Sequence, residues 1–193
     1  MMRKIVLASQ SPRRKQLLEW AEVDFDIMSR ETGETWPAGL AIEEIPVYIS
    51  REKALAVRSM DLFKRYEGDI PVLAADTIVV LDDQVLGKPL DREHAISMLR
   101  SLSGRKHKVV TGVVIMNDEK EIAFSDVTEV EFYSVAEEDL IYYVDKFEPF
   151  DKAGAYAIQE WIGVIGIRSV AGDFYNVMGL PVSKVVQALH THF

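Results

Sequence analysis

Strand-length apolar runs alternate with helix-period segments along this chain, and that alternation constrains the fold more than any other feature of the sequence. Residues with strand character occupy 5–8, 25–28, 72–81, 109–116, 127–133, 155–158 and 164–170. Helical periods fall between many of them, at 12–20, 42–65, 92–102, 137–147 and 182–189, with Gly or Pro at most ends. The alternation predicts an α/β protein. Residues 109–133 read as a long hairpin turning at Asn117-Asp118-Glu119, so the twisted sheet is expected to be mixed rather than wholly parallel. With 193 residues, 48% of them hydrophobic, the chain can bury a substantial core as one large domain or two closely joined lobes. No internal repeat, low-complexity segment or linker interrupts it. Glycines 163, 166, 172 and 179 suggest turns around a site near the C-terminus, although hairpin corners would look the same.

Charge narrows the partners. Acidic residues number 31 against 22 basic ones, and a net charge of -9 opposes non-specific binding to nucleic acid or to an anionic membrane surface. No apolar stretch approaches the length of a membrane span, and the N-terminal residues lack the long apolar region of a signal peptide, so a soluble, cytoplasmic protein is expected. There is no cysteine, which excludes disulfides, thiolate metal sites and thiol nucleophiles. His94, His107, His190 and His192 show no metal-ligand spacing.

Within this acidic chain, Ser9-Gln10-Ser11-Pro12-Arg13-Arg14 places two arginines where a strand gives way to a helix. A helix N-terminus carries partial positive charge and unpaired N–H groups, so cations there cost roughly a few tenths of a kcal/mol unless an anion joins them. Ser11 suits the N-cap and Pro12 the first helical position, which aims the amides and guanidinium forks at one spot. A phosphate fits that spot. Two solvated first-turn arginines are the alternative reading.

Asp76 stands inside Pro71-Val72-Leu73-Ala74-Ala75-Asp76-Thr77-Ile78-Val79-Val80, with apolar neighbours on both sides. Burying a carboxylate there costs several kcal/mol unless cations or a metal compensate, which makes it a candidate metal ligand or base, with a structural ion pair as the alternative. Glu34, in the polar loop 30–39, offers a second carboxylate. Lys53 falls one helical turn from Ile49 and Val57, on an apolar face from which a lysine ordinarily snorkels to solvent. Lys88 lies in the turn Gly87-Lys88-Pro89. Taken together, these cations and carboxylates would make a pocket for a polyphosphate with a hard divalent cation. Walker A, GxGxxG and Gly-x-Ser-x-Gly patterns are absent, which leaves direct attack by water as the simplest chemistry. The remaining features have plainer explanations. Met28, Met60, Met98 and Met178 are expected to fill core gaps, Tyr142 and Tyr143 to lie on an amphipathic helix, and Tyr156 to pack in the core. Trp36 and Trp161 fall in expected loops, and His190 and His192 in an expected frayed tail.

Read in order, these segments resemble the Maf family of nucleoside triphosphate pyrophosphatases over essentially the whole chain. The residues carrying the resemblance are Leu7-Ala8-Ser9-Gln10-Ser11-Pro12-Arg13-Arg14, Glu34, Arg51-Glu52-Lys53-Ala54, Ala74-Ala75-Asp76-Thr77, Gly87-Lys88-Pro89, Leu102-Ser103-Gly104, Asp151-Lys152-Ala153-Gly154-Ala155-Tyr156-Ala157-Ile158-Gln159 and Gly179-Leu180-Pro181. The resemblance implies a mixed α/β fold in two lobes flanking a central cleft, similar to that of inosine triphosphatases, and a homodimer. It makes Ser9, Arg13, Arg14, Lys53 and Lys88 triphosphate contacts, with Lys53 and Lys88 either catalytic or only phosphate-holding. Glu34 and Asp76 would lie near a divalent cation, Mg2+ first and Mn2+ or Co2+ as alternatives. Asp76 would accept the proton of the water that attacks the α-phosphorus, releasing a nucleoside monophosphate and pyrophosphate.

The segment ending in Gln159 resembles the dTTP/UTP branch of that family, whereas the 7-methyl-GTP branch usually ends it with Glu. Uracil and thymine present an acceptor beside an N–H donor, which a glutamine amide can meet; a guanine edge presents two adjacent donors, which suit a carboxylate. Gln159 is therefore expected to read the base, with Thr77 and Arg13 as further specificity positions, and modified pyrimidine nucleotides are possible substrates. Two alternatives remain, a Maf-type enzyme of another base preference and a non-catalytic nucleotide-binding regulator of cell division. A regulator would gain little from a desolvated carboxylate beside an anionic ligand.

Overall fold

The computed structural model describes residues 3–66 and 69–193. In chain order the elements are β1 (Ile5–Leu7), α1 (Pro12–Trp20), β2 (Phe25–Ile27), α2 (Ile45–Arg58), β3 (Val72–Leu81), β4 (Gln84–Leu86), α3 (Arg92–Leu102), β5 (Lys106–Met116), β6 (Glu121–Phe132), α4 (Glu137–Phe147), α5 (Trp161–Gly166), β7 (Ile167–Ala171), α6 (Phe174–Met178) and α7 (Val182–His192), with short 3-10 turns at Ile42–Glu44, Phe63–Arg65, Pro149–Asp151 and Ala153–Ala155. The strands form one seven-stranded mixed sheet in the order β2-β1-β3-β5-β6-β7, with β4 paired to β3. The chain divides into two compact units, the first comprising Met1–Asp76, Thr111–Asp126 and Gly179–Phe193, the second Thr77–Val110 and Val127–Met178.

In the first unit β1 runs parallel to β2, with Ile5 opposite Phe25, and parallel to β3, with Val6 opposite Val72. β1 is buried throughout, as parallel strands flanked on both sides must be. Its core gathers Val6, Ala8, Met28, Ala54, Val57, Val72, Ala74, Val114 and Met116. Leu17 and Leu18 of α1 are fully buried, and each stabilises the fold by about 2 kcal/mol. α2 comes so close to β5 that a Cβ on Gly112 would lie 2.2 Å from the backbone of Pro46 and Val47. That approach places the Ser50 hydroxyl, 2.7 Å from the Pro46 carbonyl and 2.9 Å from the Gly112 carbonyl, where its one proton is shared between the two, fixing the helix that carries Lys53.

In the second unit β3 and β4 form a hairpin around Asp82 and Asp83, both with positive φ (48° and 61°), the conformation of a tight two-residue turn. β6 pairs antiparallel with β7, with Val130 opposite Val170. α3 packs against α4 and the 3-10 turns that follow it. In the same unit His107, Phe132 and Tyr156 meet edge to face at 5.1–5.4 Å between ring centroids.

Several expectations are corrected. The helix expected over 42–65 is a 3-10 turn, α2 and a second 3-10 turn; Ser59 stops α2 by donating its hydroxyl to the Ala56 carbonyl, a local bond that competes with helical continuation. Residues 155–158 form no strand, because Gly154 and Ala155 both have positive φ (68° and 59°) and a turn follows. The run at 164–170 is split between α5 and β7, so Trp161 begins a helix, its ring 4.9 Å from that of Tyr142. Short apolar runs carry no period that separates strand from helix. α7 extends through His192, so His190 and His192 are helical rather than frayed. β4 and α6 were not expected; β5 begins earlier than its apolar run, at Lys106, and β6 begins at Glu121, where polar and apolar residues alternate rather than forming an apolar run. Met28, Met98, Met178 and Tyr156 are buried, as expected.

Candidate active site

The first unit brings Ser9, Arg13, Arg14, Glu34, Lys53 and Asp76 into one electrostatic neighbourhood. Asp76 sits in β3, where every residue but Thr77 is buried, and is itself 8% exposed. Its burial is answered by Lys53: the ammonium donates to Asp76 Oδ1 at 2.5 Å and lies 3.9 Å from Glu34 Oε1. Lys53 therefore does not snorkel to solvent; the carboxylate holds it inward. A carboxylate has about four acceptor positions on two oxygens, so one bond to Lys53 does not exhaust Asp76.

Ser11 is the N-cap of α1 by position, but its side chain makes no capping bond. Instead its own N–H donates to Ser9 Oγ at 3.2 Å, and Arg14 Nη1 donates to the same oxygen at 3.2 Å. Arg14 Nε donates to the Gly179 carbonyl at 2.8 Å. The guanidinium is thus fixed from two sides, by Ser9 ahead of the helix and by a glycine 165 positions away in sequence. Burial holds the Arg14 pKa below its ordinary value; Asp76 and Glu34 oppose that shift and Arg13 adds to it. Arg14 nonetheless stays charged at any physiological pH. With no acidic residue in the first turn of α1, the cations and the helix terminus present like charge that an anionic ligand would relieve.

The second unit carries the other expected residues. Thr77 follows Asp76 in β3, and neighbouring strand residues face opposite sides of a sheet. Lys88 is exposed in the turn after β4, and Gln159 is exposed in the turn after the 3-10 segment. The segment of Lys88 is tied to the 3-10 segment that precedes the Gln159 turn, because the Gly154 N–H donates to the Gly87 carbonyl at 3.0 Å. A Cβ on Gly154 would lie 2.9 Å from Val79, so the crossing of this segment over β3 requires glycine.

The Glu34 and Asp76 carboxylates, which share Lys53, make a hard-oxygen donor set. Among the described residues no cluster of three or more His, Cys, Asp or Glu side chains could hold a metal by itself. Magnesium is typically held in this way, by one or two carboxylates together with phosphate oxygens of the substrate, so Glu34 and Asp76 fit it.

Residues 4–192 match the family described as Maf-like protein. The chain belongs to the Maf family. Its similarity to the relatives that follow extends over nearly its whole length. It is 51% identical to the dTTP/UTP pyrophosphatase of Bacteroides thetaiotaomicron, over 94% of this chain and 92% of that one. It is 50% identical to the dTTP/UTP pyrophosphatase of Cytophaga hutchinsonii, over 98% of this chain and 84% of the relative. With the dTTP/UTP pyrophosphatase of Porphyromonas gingivalis it shares 49% identity, over 96% and 92%. Among solved structures it is similar to the Ham1 protein of Staphylococcus aureus, with a TM-score of 0.47 and 18% identity over 86% of this chain and 92% of that one. Among the described residues of this Maf chain, no helix is long and apolar enough to cross a membrane.

Sequence reasoning missed how the site is held. The Gly179 carbonyl was visible only as part of a motif, and no local pattern pairs it with Arg14. Ser50 and Gly112, which seat α2, belong to segments far apart in sequence, and only their close approach reveals the connection.

Proposed function

We propose that this chain hydrolyses dTTP and UTP to the nucleoside monophosphate and pyrophosphate. The observation that carries the reading is the buried Asp76 carboxylate, paired with Lys53, which also reaches Glu34, and acting on the buried Arg14 beside Arg13. The dTTP/UTP pyrophosphatases at about half identity support the same activity and substrates.

In this reading Arg13, Arg14, Lys53 and Lys88 bind the triphosphate, with Ser9 orienting Arg14. Asp76 accepts a proton from the attacking water as its oxygen bonds to the α-phosphorus. The bond from that phosphorus to the bridging oxygen breaks, and the cations absorb the charge developing on the departing pyrophosphate. Glu34 and Asp76 would hold a divalent cation, Mg2+ first, with Mn2+ or Co2+ as alternatives; when bound it would supply charge neutralisation on the phosphates and help ionise water. Gln159 reads the pyrimidine edge with one donor and one acceptor, and Thr77 and Arg13 assist the selection. A cytoplasmic homodimer belongs to the same reading; the exposed Val164, Ile165, Phe174 and Tyr175 support its second part.

The test is incubation with dTTP, UTP, CTP, GTP, ATP and 7-methyl-GTP, with Mg2+ and with a chelator, resolving pyrophosphate from orthophosphate. Pyrophosphate from dTTP and UTP, abolished by chelation, is the expected result. Orthophosphate alone, or no product from any nucleotide, overturns the proposal.

A further inference from the structure

Gln159 is the third residue of a tight turn over residues 157–160, closed by the Glu160 N–H donating to the Ala157 carbonyl at 3.1 Å. Behind this turn lies Tyr143 of α4, fully buried, its ring stacked on Phe147 at 5.1 Å. The Ala157 N–H donates to the Tyr143 hydroxyl oxygen at 3.2 Å, and that hydroxyl donates to Glu160 Oε2. A single hydroxyl therefore grips both ends of the turn. Glu160 is held in its place by Lys152, itself buried, whose Nζ lies 3.5 Å from Glu160 Oε1 and 2.7 Å from Asp151 Oδ1. Upstream, the Tyr156 hydroxyl meets His107 Nε2 at 2.7 Å.

We infer that Tyr143 is a positioning residue for base selection, acting through the turn that carries Gln159. The inference rests on the reading of Gln159 as the residue that meets the base. A primary amide presents its donor and acceptor on opposite arms, and a half-turn about its last bond exchanges them. An amide on a loose turn can therefore meet an adenine edge, an N–H donor beside an acceptor, as readily as a pyrimidine edge with the opposite order. Held from behind by a rigid, buried phenol, the turn fixes where the amide stands, and discrimination depends on that placement. Tyr143 touches neither phosphate nor metal in this arrangement, so its loss should act on which nucleotide is used more than on the rate of the chemical step.

Tyr143→Phe keeps the buried ring and deletes the hydroxyl. The UTP-to-ATP ratio of kcat/KM is expected to fall by about tenfold, through a raised KM for UTP, with kcat for UTP changed by less than about threefold. A purely structural role would lower turnover of every nucleotide in proportion and leave the ratio unmoved, and that result overturns the inference. Glu160→Ala, at a partly exposed position, removes the other half of the grip and is expected to lower the ratio in the same direction. Glu160→Gln retains an oxygen to accept from the hydroxyl and is expected to restore it. If Tyr143→Phe does not fold, the Glu160 pair decides alone: an unmoved ratio in Glu160→Ala, or no rescue by Gln, overturns the inference. An inactive native enzyme would instead refute the proposed activity, and a Gln159→Glu variant with native ranking would refute the base reading. An unchanged ratio in Tyr143→Phe beside an altered one in Gln159→Glu defeats only the role of Tyr143.

Discussion

Asp76 is costly where it stands, and Lys53 makes it tolerable. Asp76→Asn preserves shape but removes the charge that accepts a proton and answers Lys53. Pyrophosphate release is expected to fall by about a hundredfold or more while the thermal unfolding transition stays cooperative; near-native turnover would remove Asp76 from the proton-accepting role. Gln159→Glu replaces a donor with an acceptor on the base-reading side chain, so the ranking of nucleotides should shift toward guanine bases in a competition assay, with UTP losing about tenfold in kcat/KM. The burial of Asp76 was legible because its neighbours are apolar on both sides. The engagement of Lys53 was not, since a lysine on an apolar helix face reads as one that reaches for solvent until the strand opposite supplies a carboxylate. Arg14 is the harder case, because its guanidinium is fixed by Gly179, which the chain reaches only after crossing most of its length.

Elements with a long, consistent period were legible to the residue: α1, α3, α4 and β3 have the bounds their patterns predict. The segment at 155–158 was not, because two successive residues with positive φ turn an apolar run into a turn. α2 owes its seat to Gly112, where any side chain would meet the helix backbone. Gly112→Ala is expected to lower stability by about 3 kcal/mol in denaturant unfolding, since backbone cannot yield as a flexible side chain can. It should also reduce pyrophosphatase activity in the protein that remains folded, by shifting Lys53 relative to Asp76. A variant with native stability would show that α2 can withdraw without penalty.

For the whole molecule, pH acts most clearly through His107, which burial holds down to about 4 from an ordinary value of 6.5. Above pH 6.5 both folded and unfolded chains carry it neutral. Between 6.5 and 4 the unfolded chain takes up a proton that the folded chain refuses, so stability falls as pH falls, by about 3 kcal/mol at pH 4. Urea unfolding at pH 7 and at pH 4.5 should show the decline, and His107→Gln should reduce it; equal declines in both proteins would acquit His107. At this scale too the division between sequence and structure is physical. The α/β class, the mixed sheet, the strand that buries Asp76 and the pair of arginines opening α1 follow from local periodicity and charge, because those patterns act over a few residues. Joining Arg14 to Gly179, Lys53 to Asp76, Ser50 to Gly112 and Tyr143 to the Gln159 turn was left to tertiary structure. Such contacts depend on which surfaces fold against each other, and no spacing along the chain encodes them.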